Sequence, residues 1–360
     1  AARVRAPAVG APWRIPITVV TGFLGSGKTT LLNHLLREQR ERKIAVIENE
    51  FGEVPIDGEL LAAHHSAAEQ VLLLDNGCMC CSVRGEILGA FESISATLDS
   101  GLALDAVLIE TSGVADPAPI VRTLLQTPAI AERFKLDSIL ALVDAKALSA
   151  LMTERGMARC AGAPQHATDE ILQQIGFADR LVLHKVDLVD TATAVEVWRW
   201  LREINPRALP LPCVRGRLPP SELDATGAFD LRGFSKDEAL VASDQDGSAG
   251  PRDFWQLHGR GFTDRAVPAH RLGVTSFSIV RPACAVEPLL FARWLRLLAT
   301  AQPEFVGTLY RAKVLCAVAG YDQRLAFHAV TNVIERESIG PWPPGAARDC
   351  KIVFIGVSLD

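Results

Sequence analysis

The sequence predicts an α/β protein: a doubly wound, mostly parallel sheet, then a linker, then a smaller α+β domain. Three observations carry that reading. Short, almost wholly apolar runs alternate with helical patterns from Ile17 to about Val214, the alternation lapses over 216–271, and periodicity resumes over 272–360. Apolar runs without polar alternation suit strands buried on both faces, and strand–helix alternation suits a parallel sheet wrapped by helices.

Taken in order, strands are expected at Ile17–Thr21, Ile44–Ile47, Val71–Leu74, Ala106–Ile109, Ile139–Val143 and Leu181–Leu183. Helical spacing falls between them, at Thr29–Arg42, Ile87–Leu98, Ile120–Leu125 and Val195–Ile204. Pro219, Pro220, Ser243–Gly250 and Pro251 then punctuate a stretch that reads as a partly mobile linker. Beyond it come a strand at Thr275–Val280, an amphipathic helix at Val286–Ala299, and strand-like runs at Tyr310–Ala319, Arg324–Val333 and Lys351–Leu359. The domain boundaries read as 15–215, 216–271 and 272–360.

Composition excludes several classes. With 360 residues there is room for two domains and a full core, and 49% apolar against 22% charged residues excludes wholesale disorder. Lys and Arg number 37 against 42 Asp and Glu, so no basic excess exists to neutralise a nucleic-acid backbone. Apolar runs such as Val314–Ala319 fall far short of the ~20 residues of a membrane span. No apolar segment of signal-peptide type precedes Pro16, so a cytoplasmic location is expected. Eight cysteines are scattered except for one knot, Cys78, Cys80 and Cys81.

Five motifs carry chemistry. GFLGSGKTT, from Gly22 to Thr30, follows a strand and opens a helix, matching G-x-x-x-x-G-K-[ST]. Gly22, Gly25, Ser26, Gly27 and Thr30 let backbone N–H groups close around phosphates. Lys28 reaches the β/γ-phosphates, and the Thr29 hydroxyl binds Mg²⁺. IETSG places Glu110 at a strand end, where an acid orients water around Mg²⁺, with Gly113 small enough for backbone to approach a γ-phosphate. Asp116 and Pro117 then supply an N-cap and first turn for the next helix.

HKVD, from His184 to Asp187, has the shape of a guanine-reading N/T-K-x-D element. Asp187 would accept from guanine N1–H and N2–H₂, which adenine cannot offer, and the Lys185 stem would pack on the base. His184 departs from the usual Asn or Thr. Placed after a phosphate loop, the element favours GTP over ATP. NGCMCC gathers Cys78, Cys80 and Cys81, a set that collects Zn²⁺, Co²⁺ or Cu⁺; a redox switch or core packing are the competing readings. ENEFGEVPID packs Glu48, Glu50, Glu53 and Asp57 around a glycine. In a doubly wound sheet all five loops leave carboxyl ends and share one edge.

GFLGSGKTTLLNHLL, IENEFGEVPIDGELL, NGCMCCSVRGE and IETSGVADPAPI together resemble the CobW-type P-loop GTPases, and PW…KIVFIGVSLD is similar to that family's C-terminal domain. The resemblance implies a GTPase sheet of P-loop type, slow hydrolysis of GTP to GDP, and delivery of zinc or cobalt to a client metalloenzyme apoprotein. It also implies that Cys78, Cys80 and Cys81 are thiol ligands, with Glu48 and Glu53 as oxygen ligands. Relatives often carry a His-rich stretch, which this chain lacks. Two other readings compete with a metal-gated GTPase: a metal- or redox-sensing module with a nearly inert nucleotide site, and a small-molecule kinase. The kinase would leave the K-x-D element without a role.

Overall fold

The computed structural model describes residues 13–38, 42–49, 71–75, 83–113, 115–158, 166–208, 210–219, 222, 226–229, 274–300, 307–330, 332–345, 348–357 and 359. They divide into two compact units, the first drawn from Ala1–Gln174, Ala178–Val189 and Pro210–Phe229, the second from Ile175–Phe177, Asp190–Leu209 and Asp230–Asp360.

The first unit is built on seven strands: β1 (Ile15–Gly22), β2 (Ile44–Asn49), β3 (Val71–Asp75), β4 (Ala106–Thr111), β5 (Phe134–Asp144), β6 (Arg180–His184) and β7 (Pro210–Cys213). Their spatial order is β3-β2-β4-β1-β5-β6-β7, and every pairing is parallel. β1 is buried along its whole length, as its apolar run requires of a central strand covered on both faces. Helix α1 (Lys28–Glu38) turns Leu31, Leu32, Leu35 and Leu36 onto Val20, Val46, Leu108 and Leu142 of the sheet. Each such leucine contributes about 1.5–3 kcal/mol of burial. This core fixes the phosphate loop between two rigid elements.

The helices that follow along the chain are α2 (Val83–Asp99), α3 (Ala118–Gln126), α4 (Pro128–Arg133), α5 (Ala145–Ala158), α6 (His166–Phe177) and α7 (Thr191–Ile204), the last of them in the second unit. The six expected strands are present and longer at their ends, whereas β7, α4, α5 and α6 were not anticipated from sequence. β7 reads PLPC, and two prolines argue against a strand except at a sheet edge, which is where β7 lies. α5 spreads its apolar residues around the helix and so carries no helical stripe. Helix α1 is described over Lys28–Glu38, and residues 39–41 of the helix expected to reach Arg42 lie outside the described residues.

The second unit holds a mainly antiparallel sheet of β8 (Val274–Arg281), β9 (Ala285–Val286), β10 (Thr308–Val318), β11 (Gln323–Val330), β12 (Val333–Pro341) and β13 (Cys350–Val357). The order is β12-β11-β10-β13-β8, with β9 parallel to β10. Helix α8 (Pro288–Thr300) packs Phe291, Trp294 and Leu295 over Val314, Cys316 and Phe327. The run expected at Arg324–Val333 is β11, Gln323–Val330, and the strand that follows it was not expected. β12, carrying Glu335, Arg336 and Glu337, lacks an apolar alternation because it is the charged outer edge. Also in this unit, the rings of Phe177 and Tyr310 pack at a tilt of 30°, 5.6 Å between centroids. Among the described residues, no helix is long and apolar enough to cross a membrane.

Candidate functional site

Because all seven strands are parallel, their carboxyl ends meet one edge, the side on which open α/β sheets bind ligands. The register puts specific residues there. Glu48 lies level with Asp75 on one side and Glu110 on the other, Gly22 with Leu142, and His184 with Asp144 and Cys213.

The loop from Gly22 to Thr30 wraps as the glycine pattern demands. Gly22, Gly25 and Gly27 have φ of 144°, 71° and 101°, conformations that L side chains rarely adopt. A Cβ on Gly27 would also fall 2.4 Å from the His184 ring. Ser26 N donates to Phe23 O, closing the turn, and Leu31 N donates to Gly27 O, starting α1. Lys28 is buried, with its Nζ donating to Gly22 O at 2.9 Å. Thr30 is exposed on the first turn.

The magnesium-type residues come together. Thr29 Oγ1 donates to Glu110 Oε1 at 3.1 Å, although 81 positions separate them in sequence. Beneath them Thr111 Oγ1 donates to Thr21 Oγ1 at 3.0 Å, tying the ends of β4 and β1. Two residues past Glu110, Ser112 Oγ is buried without a hydrogen-bond partner. Gly113 lies so close to the phosphate loop that a Cβ there would meet the Leu24 backbone at 2.7–2.8 Å. Asp116 Oδ1 accepts from Ala118 N at 2.8 Å, although Pro117, and not Asp116 as expected, occupies the N-cap position. Burial pushes this carboxyl above its ordinary range, opposed by hydrogen bonds from Ala118 and Gln173 and by Arg122.

The HKVD segment braces the phosphate loop. Backbone Gly216 N donates to His184 Nε2 at 2.9 Å, so the ring proton sits on Nδ1, which donates to Ser26 O at 2.7 Å. Both nitrogens are therefore engaged with backbone, and His184 enters the site by holding the loop from behind. Lys185 takes φ of 59° and spans from the sheet to the loop, donating to Gly25 O at 2.7 Å and to Asp144 Oδ2 at 2.6 Å. Asp187 is exposed on the short turn Val186–Leu188.

Three contributors carried no sequence signal strong enough to name. Asp144, one residue past the expected strand end, pairs with Lys185 and caps α5 through Lys146 N and Ala147 N. The turn Val214–Arg217 follows the unanticipated β7 and places Arg215 at φ 51°. Cys213 begins that turn, and burial, reinforced by Asp187, pushes its thiol to about 12. Gln174 is the third. Cys78, Cys80, Cys81 and Glu53 lie outside the described residues. Glu48 is placed at the end of β2, level with Glu110.

A phosphate loop leaving the central strand, a hydroxyl–carboxylate pair for a divalent cation and a K-x-D turn on one edge define a P-loop GTPase fold. Residues 16–211 match the model of the CobW/HypB/UreG nucleotide-binding domain, and 274–360 match the cobalamin synthesis protein cobW C-terminal domain. The chain belongs to the CobW/HypB/UreG family. It is 32% identical to the zinc chaperone YjiA of Escherichia coli K12, over 96% of this chain and 95% of that one. It is 34% identical to the zinc chaperone CobW of Pseudomonas aeruginosa, over 59% and 63%. The crystal structure of Zn(II)-bound YjiA GTPase from E. coli superposes with a TM-score of 0.66 at 25% identity, covering 97% of this chain and 96% of that one.

Proposed function

We propose that this protein is a cytoplasmic GTPase that carries zinc and delivers it to a client metalloprotein, its metal affinity set by the bound nucleotide. The observation that carries the reading is the Thr29–Glu110 contact on an edge shared with Glu48. A hydroxyl and a carboxylate side by side, with Ser112 Oγ unpartnered nearby, are the hard oxygen donors that Mg²⁺ selects. Thr29 and Glu110 would hold that ion, which when bound neutralises phosphate charge. Lys28 contacts the β/γ-phosphates, the N–H groups of the Gly22–Thr30 loop cradle them, and Asp187 accepts from guanine. Zinc is the cargo, with Co²⁺ an alternative. Cys78, Cys80 and Cys81 are proposed as its thiol ligands, and Glu48 and Glu53 as its oxygen ligands. The GTPase domain is taken as 15–215 and the C-terminal domain as 272–360.

The names of the relatives support a zinc chaperone with GTPase activity. The topology supports coupling, since the strand bearing Glu48 pairs directly with the strand bearing Glu110. A tetrahedral zinc site tolerates little misplacement, so a modest loop shift between GTP and GDP states changes affinity by about 1–3 kcal/mol, and linkage makes the effect reciprocal. The test is Zn²⁺ affinity, by competition with a chromophoric chelator, in GDP and in a non-hydrolysable GTP analogue. Expected are affinities differing by about 5–150-fold. Equal affinities in the two states would sink the chaperone reading.

A further inference from the structure

The loop after β4 lies with Gly113 against the Leu24 backbone of the phosphate loop, and its own sequence offers little to hold it there. A glycine has no side chain to anchor, and the described residues between β4 and the next helix form neither helix nor strand, with Ala115 N donating to Ser112 O at 3.1 Å. The anchor comes from α6. Gln174 is 3% exposed, and its Nε2 donates to Gly113 O at 3.2 Å and to Ala115 O at 3.4 Å, from about sixty residues along the chain. Its neighbour Gln173 hydrogen-bonds the Asp116 carboxylate. Two consecutive glutamines thus grip the same turn at three points.

From this geometry we infer that Gln174, assisted by Gln173, is a positioning residue for the γ-phosphate end of the site. The reasoning is electrostatic as well as steric. Carbonyl oxygens carry negative partial charge, and those of Gly113 and Ala115 would repel a phosphate if turned toward it. One buried amide, with two N–H donors, accepts the task of facing both away. On the opposite side the Leu24 backbone leaves no space for anything but hydrogen at Gly113 Cα. The turn is therefore clamped between α6 and the phosphate loop, and on the GTPase reading it borders the γ-phosphate, the group that GTP has and GDP lacks.

The inference rests on the GTPase reading, so its test separates the two. In the full-length protein, Gln174→Met keeps the volume and removes the donors, and Gln174→Glu sets a carboxylate against two carbonyls. Affinities for fluorescent GDP and for a fluorescent non-hydrolysable GTP analogue are measured beside kcat and KM for GTP. Expected is GDP affinity within twofold of the parent, GTP-analogue affinity down ~5–10-fold, and kcat down ~10-fold, the larger loss in Gln174→Glu, because buried carbonyls have lost their donors. Gly113→Ala, pushing the turn from the Leu24 side, should lower the same ratio. A merely structural glutamine would weaken both nucleotides alike, and that result, or an unchanged ratio, overturns the proposal. If the parent protein shows no turnover at all, the GTPase reading fails, while the affinity ratio still decides the role of Gln174.

Discussion

The two sheets differ in where most of their charged groups stand. In the parallel sheet Glu48, Glu110, Asp144 and His184 stand at or next to the carboxyl ends of their strands, all on one side, while the polar residues buried within strands, Thr18, Asp137 and Ser138, lie away from that edge. In the antiparallel sheet, Arg311, Lys313 and His328 sit within the strands and are themselves buried. Arg311 spends its guanidinium on His328 Nε2 at 2.7 Å and on Phe177 O at 3.2 Å. Polar groups at the carboxyl ends face a place where a ligand can sit, whereas Arg311 within its strand is engaged by groups of the protein itself. The first arrangement is preorganised for catalysis and the second for specifying one fold. Altering each region should therefore cost different things, nucleotide chemistry in one and stability in the other.

The largest effect is expected at Lys28 and Thr29. Lys28→Ala removes the cation facing the β/γ-phosphates, and Thr29→Ala removes the hydroxyl that meets Glu110 at 3.1 Å. Positioning and charge neutralisation supply nearly all of phosphoryl-transfer catalysis, so each variant should lose GTP turnover by ~10³-fold or more while melting within a few degrees of the parent. Phosphate release measured at saturating GTP checks this. Turnover surviving either change would place the chemistry elsewhere and dissolve the contrast.

His184 comes next. His184→Ala leaves Ser26 O without its donor and Gly216 N without its acceptor, both buried, at about 1–3 kcal/mol each. GTP and GDP should weaken together, by roughly 100-fold, because the ring supports the loop that both nucleotides share. A calorimetric titration in which the two nucleotides are affected unequally would contradict the bracing role. The pattern is the reverse of that expected at Gln174, which acts on GTP alone.

These contacts show how much could be read in advance. The glycine turn of the phosphate loop, the place of Glu110 at a strand end and the six expected strands were legible because local spacing encodes them: glycine where φ is positive, apolar runs where both faces are covered. β7 was not, since PLPC satisfies edge constraints that sequence pattern does not reveal. The role of His184 was obscured by the motif itself, which directs attention to the base, while its partners Ser26 and Gly216 are brought to it only by the packing of β6 beside β7 and the phosphate loop. Gln174 lies mid-helix in ILQQIGF and gives no signal, because its meaning depends on carbonyls some sixty residues earlier. Pairings between distant elements are fixed by topology, and one sequence does not display them.

The smallest effect, and the one that sharpens the contrast most, belongs to Arg311. Arg311→Met preserves much of the side-chain length and removes the guanidinium, leaving Phe177 O and His328 Nε2 without this donor. Orphaned buried acceptors cost about 1–3 kcal/mol, which lowers melting by several degrees, whereas a buried charge replaced together with its partner is often neutral. A second variant separates those terms. Adding His328→Phe removes one of the acceptors, so the double variant should recover part of the loss if the network acts as a unit. Neither variant should move kcat for GTP at 25 °C, since neither residue lies on the carboxyl edge of the parallel sheet. Thermal melting with each combination, beside single-turnover GTP hydrolysis, measures both consequences on the same samples. A turnover defect in Arg311→Met that His328→Phe does not relieve would mean that the second sheet takes part in the nucleotide cycle, and the division between a chemical edge and a structural core would have to be abandoned.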